Sequence, residues 1–128
     1  MSRTILVVAS VLGFLAVALG AFGAHGLEAT FAASEDPVKR AAWWATATEY
    51  HMWHALLLVG VGLLAERVSS RAISVAFASI VAGVMLFSGS LYLLGVTGLR
   101  WLGAITPLGG VAFLVGWIAL AIAATKTR

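Results

Sequence analysis

Residues 5–22 read ILVVASVLGFLAVALGAF, a run without a single charged side chain. Two further runs, Ala72–Val96 and Ile105–Ala124, are also free of charged residues. A helix of about 20 predominantly apolar residues is long enough to cross the hydrocarbon core of a bilayer. These three runs therefore predict three membrane-spanning helices.

A fourth apolar stretch, Pro37–Ala65, differs from the others because polar residues interrupt it. The interruption is Glu49-Tyr50-His51-Met52-Trp53-His54, which contains three ionisable groups. The stretch begins after Asp36, a residue type that caps helices well, and proline is favoured at the first helical position. We expect one helix over this stretch, which brings the number of spans to four.

The composition favours a membrane protein over a soluble one. Hydrophobic residues make up 62% of the 128 positions and charged residues 10%. A soluble domain of this size could not bury so much apolar surface. In lipid the backbone must satisfy its own hydrogen bonds, which a helix does. The sequence thus predicts an all-α protein with a single domain over residues 1–128, an integral membrane four-helix up-down bundle with helices at about 3–24, 37–65, 71–94 and 102–125.

The basic residues indicate an orientation for these spans. Four spans put both termini on the same side as the turn between helices two and three. That side holds Arg3, Arg67, Arg71, Lys126 and Arg128, and the other side holds Lys39, Arg40 and Arg100. Because cytoplasmic loops carry the excess of Lys and Arg, we expect both termini in the cytoplasm. The basic residues are scattered rather than gathered on one face, so nucleic acid is not predicted as a partner.

The ionisable groups of the second helix are the first candidates for a functional site, because such groups are costly inside a membrane and usually functional. His51 and His54, with Glu49 or His25, could bind a metal ion such as zinc. Two of the histidines could instead ligate haem, and Glu49, His51 and His54 could form a proton relay. The plainer alternative is hydrogen bonding to polar groups on neighbouring helices. The spacing matches no complete zinc signature, so we expect neither a metal site nor a cofactor.

Arg100 is expected at the outer membrane surface, on the same side as Glu49. An ion pair between the two would lower the cost of placing both there, and binding of an anionic substrate is the alternative role for Arg100. The chain contains no cysteine, and no catalytic triad or phosphate-binding glycine loop is visible. We therefore predict no catalytic residue and a protein that is not an enzyme.

Four short stretches occur in an order that resembles a known family. They are Gly20–Leu27, Tyr50–Leu56, Phe87–Tyr92 and Ile105–Gly110. The chain resembles the small four-helix membrane proteins grouped as domain of unknown function family 423, which include the eukaryotic transmembrane protein 256. The resemblance implies an integral protein of the bacterial inner (plasma) membrane, and it assigns no activity, cofactor or substrate.

In an up-down bundle, all four stretches fall at the outer ends of helices. Their polar side chains and Arg100 are predicted to form one outward-facing cluster, which holds the helices of the bundle together. The same cluster is the candidate site for a small ligand, a lipid or a partner. Its members are His25, Glu49, His51, His54, Ser88, Ser90, Arg100 and Thr106. The alternative function is a small oligomeric transporter or ion-coupled carrier, and an enzyme acting on a lipid comes third. Membrane lipid is the expected partner, and rows of small residues in helix one permit a homo-oligomer.

Overall fold

Helices account for almost all of the computed structural model, which describes residues 1–126. They are α1 (Ser2–His25), α2 (Glu28–Ala32), α3 (Pro37–Leu64), α4 (Arg71–Gly83), α5 (Gly89–Thr97) and α6 (Thr106–Ala124). No strand occurs over this range, which confirms the all-α prediction. Arg128, one of the residues in the topology argument, lies outside the described residues.

Two irregular segments connect these helices. A π-helical segment, Val84–Ser88, joins α4 to α5 into one continuous helix, and a 3₁₀ helix, Arg100–Ala104, precedes α6. Neither of these segments nor the short helix α2 was predicted from the sequence. Single-turn π segments inside α-helices are rare and occur often at functional sites.

Three helical stretches are long and apolar enough to cross a membrane: Ser2–His25, Arg71–Thr97 and Arg100–Ala124. They contain the three uncharged runs of the sequence. Helix α3 is 28 residues long but is not among them, since it carries the polar interruption.

Helices α1 and α3 pack against each other in opposite directions. At one end, Gly62 of α3 lies so close to Leu6 of α1 that an added Cβ would be 2.7 Å from the Leu6 side chain. At the other end, the indole N–H of Trp44 donates to the carbonyl oxygen of Leu19 over 2.9 Å. Early residues of α1 therefore face late residues of α3, and the two helices run side by side over most of their lengths.

Helix α6 packs in the same antiparallel manner against α4 and the π-helical segment. Gly116 faces Ile80, and Gly109 touches the backbone of Phe87, where an added Cβ would lie 2.7 Å from the Phe87 Cα. No side chain fits at this contact, so glycine is required for the two helices to approach this closely. The contact brings α6 against the irregular segment that carries Ser88.

The outer surface of the molecule is apolar. Phe14, Val17, Leu114 and Ile118 are each more than 60% exposed. On a soluble protein a surface of this kind would be an interaction or aggregation site. In lipid it is the favourable arrangement, and it leaves the interior to small and branched residues and to the polar side chains.

Candidate functional site

His54 lies in the interior between α3 and α6, with both ring nitrogens bonded. Nδ1 is 2.7 Å from the carbonyl oxygen of Tyr50, one turn earlier in α3. Because a carbonyl oxygen only accepts, Nδ1 carries the hydrogen and Nε2 is the acceptor. The indole N–H of Trp117 on α6 donates to Nε2 over 3.3 Å. These two bonds define one tautomer of the uncharged ring and link α3 to α6.

Aromatic rings surround this histidine. The His54 ring is stacked on Phe113, with ring centroids 3.6 Å apart and planes inclined by 13°. Tyr50 stacks at a greater distance, 6.1 Å, and Phe87 packs on Tyr50 with centroids 4.4 Å apart. Aromatic packing of this kind restricts the orientation of the imidazole.

His51 lies on another side of α3 and faces α5 and α1. Its Nδ1 is 2.8 Å from the hydroxyl of Tyr92, and the side chain is buried. The ring also lies against the backbone of Leu12 on α1. Its second nitrogen, Nε2, is buried without a hydrogen-bond partner in the described part of the chain. His51 therefore joins three helices but is less completely bonded than His54.

The hydroxyl groups of the predicted cluster bond to neighbouring helices. Ser88, fully buried, donates to the carbonyl oxygen of Ala47 over 2.8 Å, which ties the π-helical segment to α3. Ser90 donates to the carbonyl oxygen of Phe87 over 3.0 Å. Since this uses its single hydrogen, Thr106, 2.6 Å away, must donate to Ser90. The Ser90–Thr106 bond links α5 to α6.

Three members of the predicted cluster lie elsewhere. His25 is exposed at the end of α1, and Glu49 is exposed on the outward face of α3. The predicted ion pair between Arg100 and Glu49 is wrong, because Arg100 Nη2 is 2.9 Å from Oδ2 of Asp36. Asp36 precedes α3 and makes no capping hydrogen bond. It lies at the same end of the molecule as Arg100, whereas Glu49 is 13 residues, or about 20 Å, further along α3.

The metal, haem and relay hypotheses find little support in this arrangement. Within residues 1–126, no group of three or more His, Asp and Glu side chains is placed to hold a metal ion. The lone pair of His54 Nε2, which a metal ion would need, already accepts from Trp117. His51 and His54 bond to different helices, and no hydrogen bond in the described chain connects them to each other or to Glu49.

A groove of about 640 Å³ opens beside His54, between α3 and α6. This volume is typical of sites for small molecules, which span about 300–1,000 Å³. The groove is lined by Tyr50, Trp53, His54, Phe87, Pro107, Gly110, Val111, Phe113, Leu114 and Trp117. Neither the hydroxyl of Tyr50 nor the indole N–H of Trp53 makes a hydrogen bond to the described residues. The Tyr50 hydroxyl is therefore available to a molecule in the groove.

The sequence did not single out the aromatic members of this site. Tyr92 lies on α5, and Phe113 and Trp117 lie on α6. Nothing in their spacing indicates that they contact the two histidines of α3. One signal was available: a Tyr or Trp buried in lipid needs an acceptor for its O–H or N–H, and a histidine nitrogen can provide one. Which histidine serves which donor depends on how the helices pack.

The fold and this site define the class of the protein: a small helical membrane protein with an apolar exterior and interior polar side chains that bond mostly to one another. A family model described as "Protein of unknown function (DUF423)" matches residues 19–110. The chain belongs to this family, as its four sequence stretches predicted.

Relatives cover almost the whole chain. The UPF0382 membrane protein YwdK of Bacillus subtilis is 46% identical over 97% of this chain and 98% of its own length. A UPF0382 membrane protein of Staphylococcus saprophyticus is 40% identical over 97% of this chain and 98% of its own. The UPF0382 inner membrane protein YgdD of Escherichia coli is 39% identical over 99% of this chain and 93% of its own. No solved structure matches the chain.

The names of these relatives and the three apolar helices agree with the predicted localisation. The chain is an integral membrane protein, and its location is the bacterial inner, or plasma, membrane.

Proposed function

We propose that this protein crosses the inner membrane four times and, without acting as an enzyme, binds a lipid or lipid-soluble molecule in the groove beside His54. The observation that carries the proposal is the groove itself, whose aromatic wall holds an unbonded hydrogen-bond donor, the Tyr50 hydroxyl, at the surface of a membrane protein.

The pairing of α1 with α3 supports the fourth span. Helix α1 is apolar enough to cross the bilayer, and α3 follows it from the level of Leu19 to that of Leu6. A helix that runs beside a membrane span over this length crosses the same thickness of lipid. With Arg71–Thr97 and Arg100–Ala124 the spans number four, in an up-down order with both termini on one side. The excess of basic residues on that side favours the cytoplasm.

The chemistry of the groove indicates the class of ligand. Its walls are mostly aromatic and aliphatic, and its edge is open to the lipid at Trp53, Leu114 and Trp117, each at least 50% exposed. The Tyr50 O–H is an unbonded donor in this wall, and such a donor is costly in lipid. The complementary ligand has an apolar body and an oxygen acceptor such as an ester or ketone carbonyl.

The hydrogen bonds already made by the interior polar groups favour binding over catalysis or transport. His54 has a donor on one nitrogen and an acceptor on the other, and both are in use, so the ring is not free to act as a base. A carrier would need polar groups that succeed one another through the membrane, whereas His51 and His54 point to different helices.

A substitution that fills the groove tests the proposal. A Cβ at Gly110 would lie 3.9 Å from the Phe87 ring, an ordinary contact, so Gly110→Leu extends into the groove without moving the backbone. At Gly13 on α1 a Cβ would meet nothing within 4 Å, which makes Gly13→Leu a matched control away from the groove. The readout is native mass spectrometry of protein released from mild detergent, with extraction and identification of the retained small molecules.

We expect the original protein and Gly13→Leu to retain the same molecule, and Gly110→Leu to lose most of it. Tyr50→Phe should weaken retention to a smaller extent, because it removes one hydrogen bond and leaves the groove open. Equal retention by Gly110→Leu and Gly13→Leu would overturn the proposal, as would the absence of any retained molecule from all of these proteins.

A further inference from the structure

Glu49 lies on the outward face of α3, away from the groove and from the interior. It is exposed and makes neither a hydrogen bond nor an ion pair with the described residues. The same face carries Ala45, Trp53, Leu56, Gly60 and Leu63, all exposed. Their spacing of three or four residues places them on one stripe of the helix. A carboxyl group therefore stands in the middle of an otherwise apolar stripe.

The pairing of α1 with α3 gives the depth of this carboxyl group. The uncharged run Ile5–Phe22 of α1 has its midpoint between Gly13 and Phe14. Leu19 faces Trp44 and Leu6 faces Gly62, so this midpoint lies opposite residues 51–52 of α3. Glu49 is two to three residues away, which is about 4 Å along the helix. The hydrocarbon core extends about 15 Å on each side of its midplane, so Glu49 lies well inside it.

No basic residue of the described chain reaches this depth. The nearest along α3 is Arg40, nine residues, or about 13 Å, towards the outer end. Its Nη1 is 3.5 Å from the carbonyl oxygen of Val96. Arg100 is bonded to Asp36. A carboxyl group that faces lipid at this depth without a partner is costly, and such groups are found paired or facing protein. The described residues therefore supply no partner for Glu49.

We infer that the Glu49 stripe is the contact surface for a second copy of this chain, packed in parallel about a twofold axis along the membrane normal. The inference goes beyond ligand binding in the groove but rests on the proposed membrane span of α3. A parallel twofold contact brings residues of equal depth together, so the two Glu49 side chains lie near the axis with the two Trp53 side chains one turn away. The longer Trp53 side chain spans this turn, and its indole N–H donates to Glu49 of the other copy.

Two observations on the stripe favour a second copy over a different protein. Trp53, 54% exposed, has an indole N–H without an acceptor, so the stripe contains both the acceptor and the donor that the contact needs. Ala45 and Gly60, on either side of this pair, are small enough for two helices to approach closely.

Cysteine cross-linking tests this contact, because the chain has no cysteine of its own. Ala45→Cys and Leu56→Cys place a thiol on the stripe and leave Glu49 and Trp53 intact. Val11→Cys on α1 and Ile118→Cys on α6 are matched controls at exposed positions on other faces. After oxidation in native membranes, we expect disulfide-linked dimers from the first two variants and none above background from the controls.

The role of Glu49 is tested in the Ala45→Cys background. Glu49→Leu should weaken dimerisation by about tenfold, because a twofold contact loses two intramembrane hydrogen bonds. Glu49→Gln keeps an acceptor and should retain most of the dimer. Equal cross-linking at stripe and control positions would overturn the inference, and so would a dimer that is unaffected by Glu49→Leu.

A labelling control separates this inference from the span on which it rests. If α3 crosses the membrane, a water-soluble maleimide should not label Leu56→Cys in intact membranes, but should label Ser69→Cys in the turn after α3 once the cytoplasmic side is accessible. Labelling of Leu56→Cys would overturn the four-span proposal and the inference with it. Protection of Leu56→Cys without cross-linking would overturn the inference alone.

Discussion

The indole Nε1 of Trp117 and the imidazole Nε2 of His54 lie 3.3 Å apart, and this hydrogen bond joins α6 to α3. It completes the bonding of a histidine whose other nitrogen donates to its own helix. The arrangement gives His54 a structural role, and it also makes this residue part of the wall of a groove open to lipid.

Trp117→Phe should lower the free energy of unfolding by about 1 kcal/mol, because it removes the donor to His54 and intramembrane hydrogen bonds contribute roughly that much. Unfolding of protein in lipid–detergent mixtures measures the change. Trp101→Phe is the matched control, since Trp101 is 64% exposed and makes no hydrogen bond to the described residues. Equal effects of the two substitutions would show that the His54 bond does not stabilise the fold.

Tyr92→Phe should destabilise the protein more than Tyr50→Phe. The Tyr92 hydroxyl is bonded to His51, whose other nitrogen already lacks a partner, so its loss leaves a buried ring without any hydrogen bond. A buried polar group left unsatisfied costs about 1–3 kcal/mol. The Tyr50 hydroxyl makes no bond to the described chain, and its removal should change the stability of ligand-free protein by less than about 0.5 kcal/mol. The same unfolding measurement compares the two, and a larger effect of Tyr50→Phe would contradict the assignment.

Gly109→Ala and Gly110→Ala should differ sharply although the positions are adjacent. A Cβ at Gly109 would overlap the backbone of Phe87, so the helices must separate, and overpacking of this kind costs about 1–3 kcal/mol. A Cβ at Gly110 has room, and alanine improves helix propensity by up to about 1 kcal/mol. Thermal unfolding midpoints in detergent should fall for the first variant and hold or rise for the second. Similar midpoints would mean that α6 does not lie this close to the π-helical segment.

Asp36→Asn should change stability by less than about 1 kcal/mol despite the short ion pair with Arg100. The two side chains are 47% and 69% exposed, so water and salt screen the interaction. Arg100→Gln should have a similarly small effect, and both effects should shrink as the salt concentration is raised. A loss above about 2 kcal/mol would indicate that the pair is shielded from solvent.

Parts of the candidate site could be predicted from the sequence. The polar residues of the second apolar stretch stand out because lipid-facing sequence is otherwise uncharged, and five of the eight predicted residues do bond in the interior: His51, His54, Ser88, Ser90 and Thr106. Their partners could not be predicted. Trp117 and Tyr92 are two of several aromatic residues in the apolar segments, and only the packing of α5 and α6 against α3 selects them.

The incorrect predictions for His25 and Arg100 also arise because helix packing could not be predicted. His25 and Arg100 were placed with the histidines because all lie near the outer ends of predicted helices. The contact of α1 with α3 puts His51 beside Leu12, which is 13 residues before His25, or about 20 Å along α1. Arg100 instead meets Asp36, at the end of the molecule where α3 begins. The pattern of apolar segments predicts the depth of a residue in the membrane only to within a few helical turns. That precision is too low to predict which residues form a hydrogen bond.

The sequence by itself determined that the protein is helical, that it belongs in a membrane, and to which family it belongs. The reason is that moving a charged residue into lipid is costly. The length of the uncharged segments therefore shows directly which parts of the chain are suited to a membrane. Only the tertiary structure decided which polar groups are satisfied in the interior and that Glu49 faces outward. Those outcomes depend on the rotation of α3 about its axis and on its register against α1, α5 and α6. Rotation and register arise from contacts between residues far apart in the chain, such as Gly62 with Leu6 and Gly109 with Phe87.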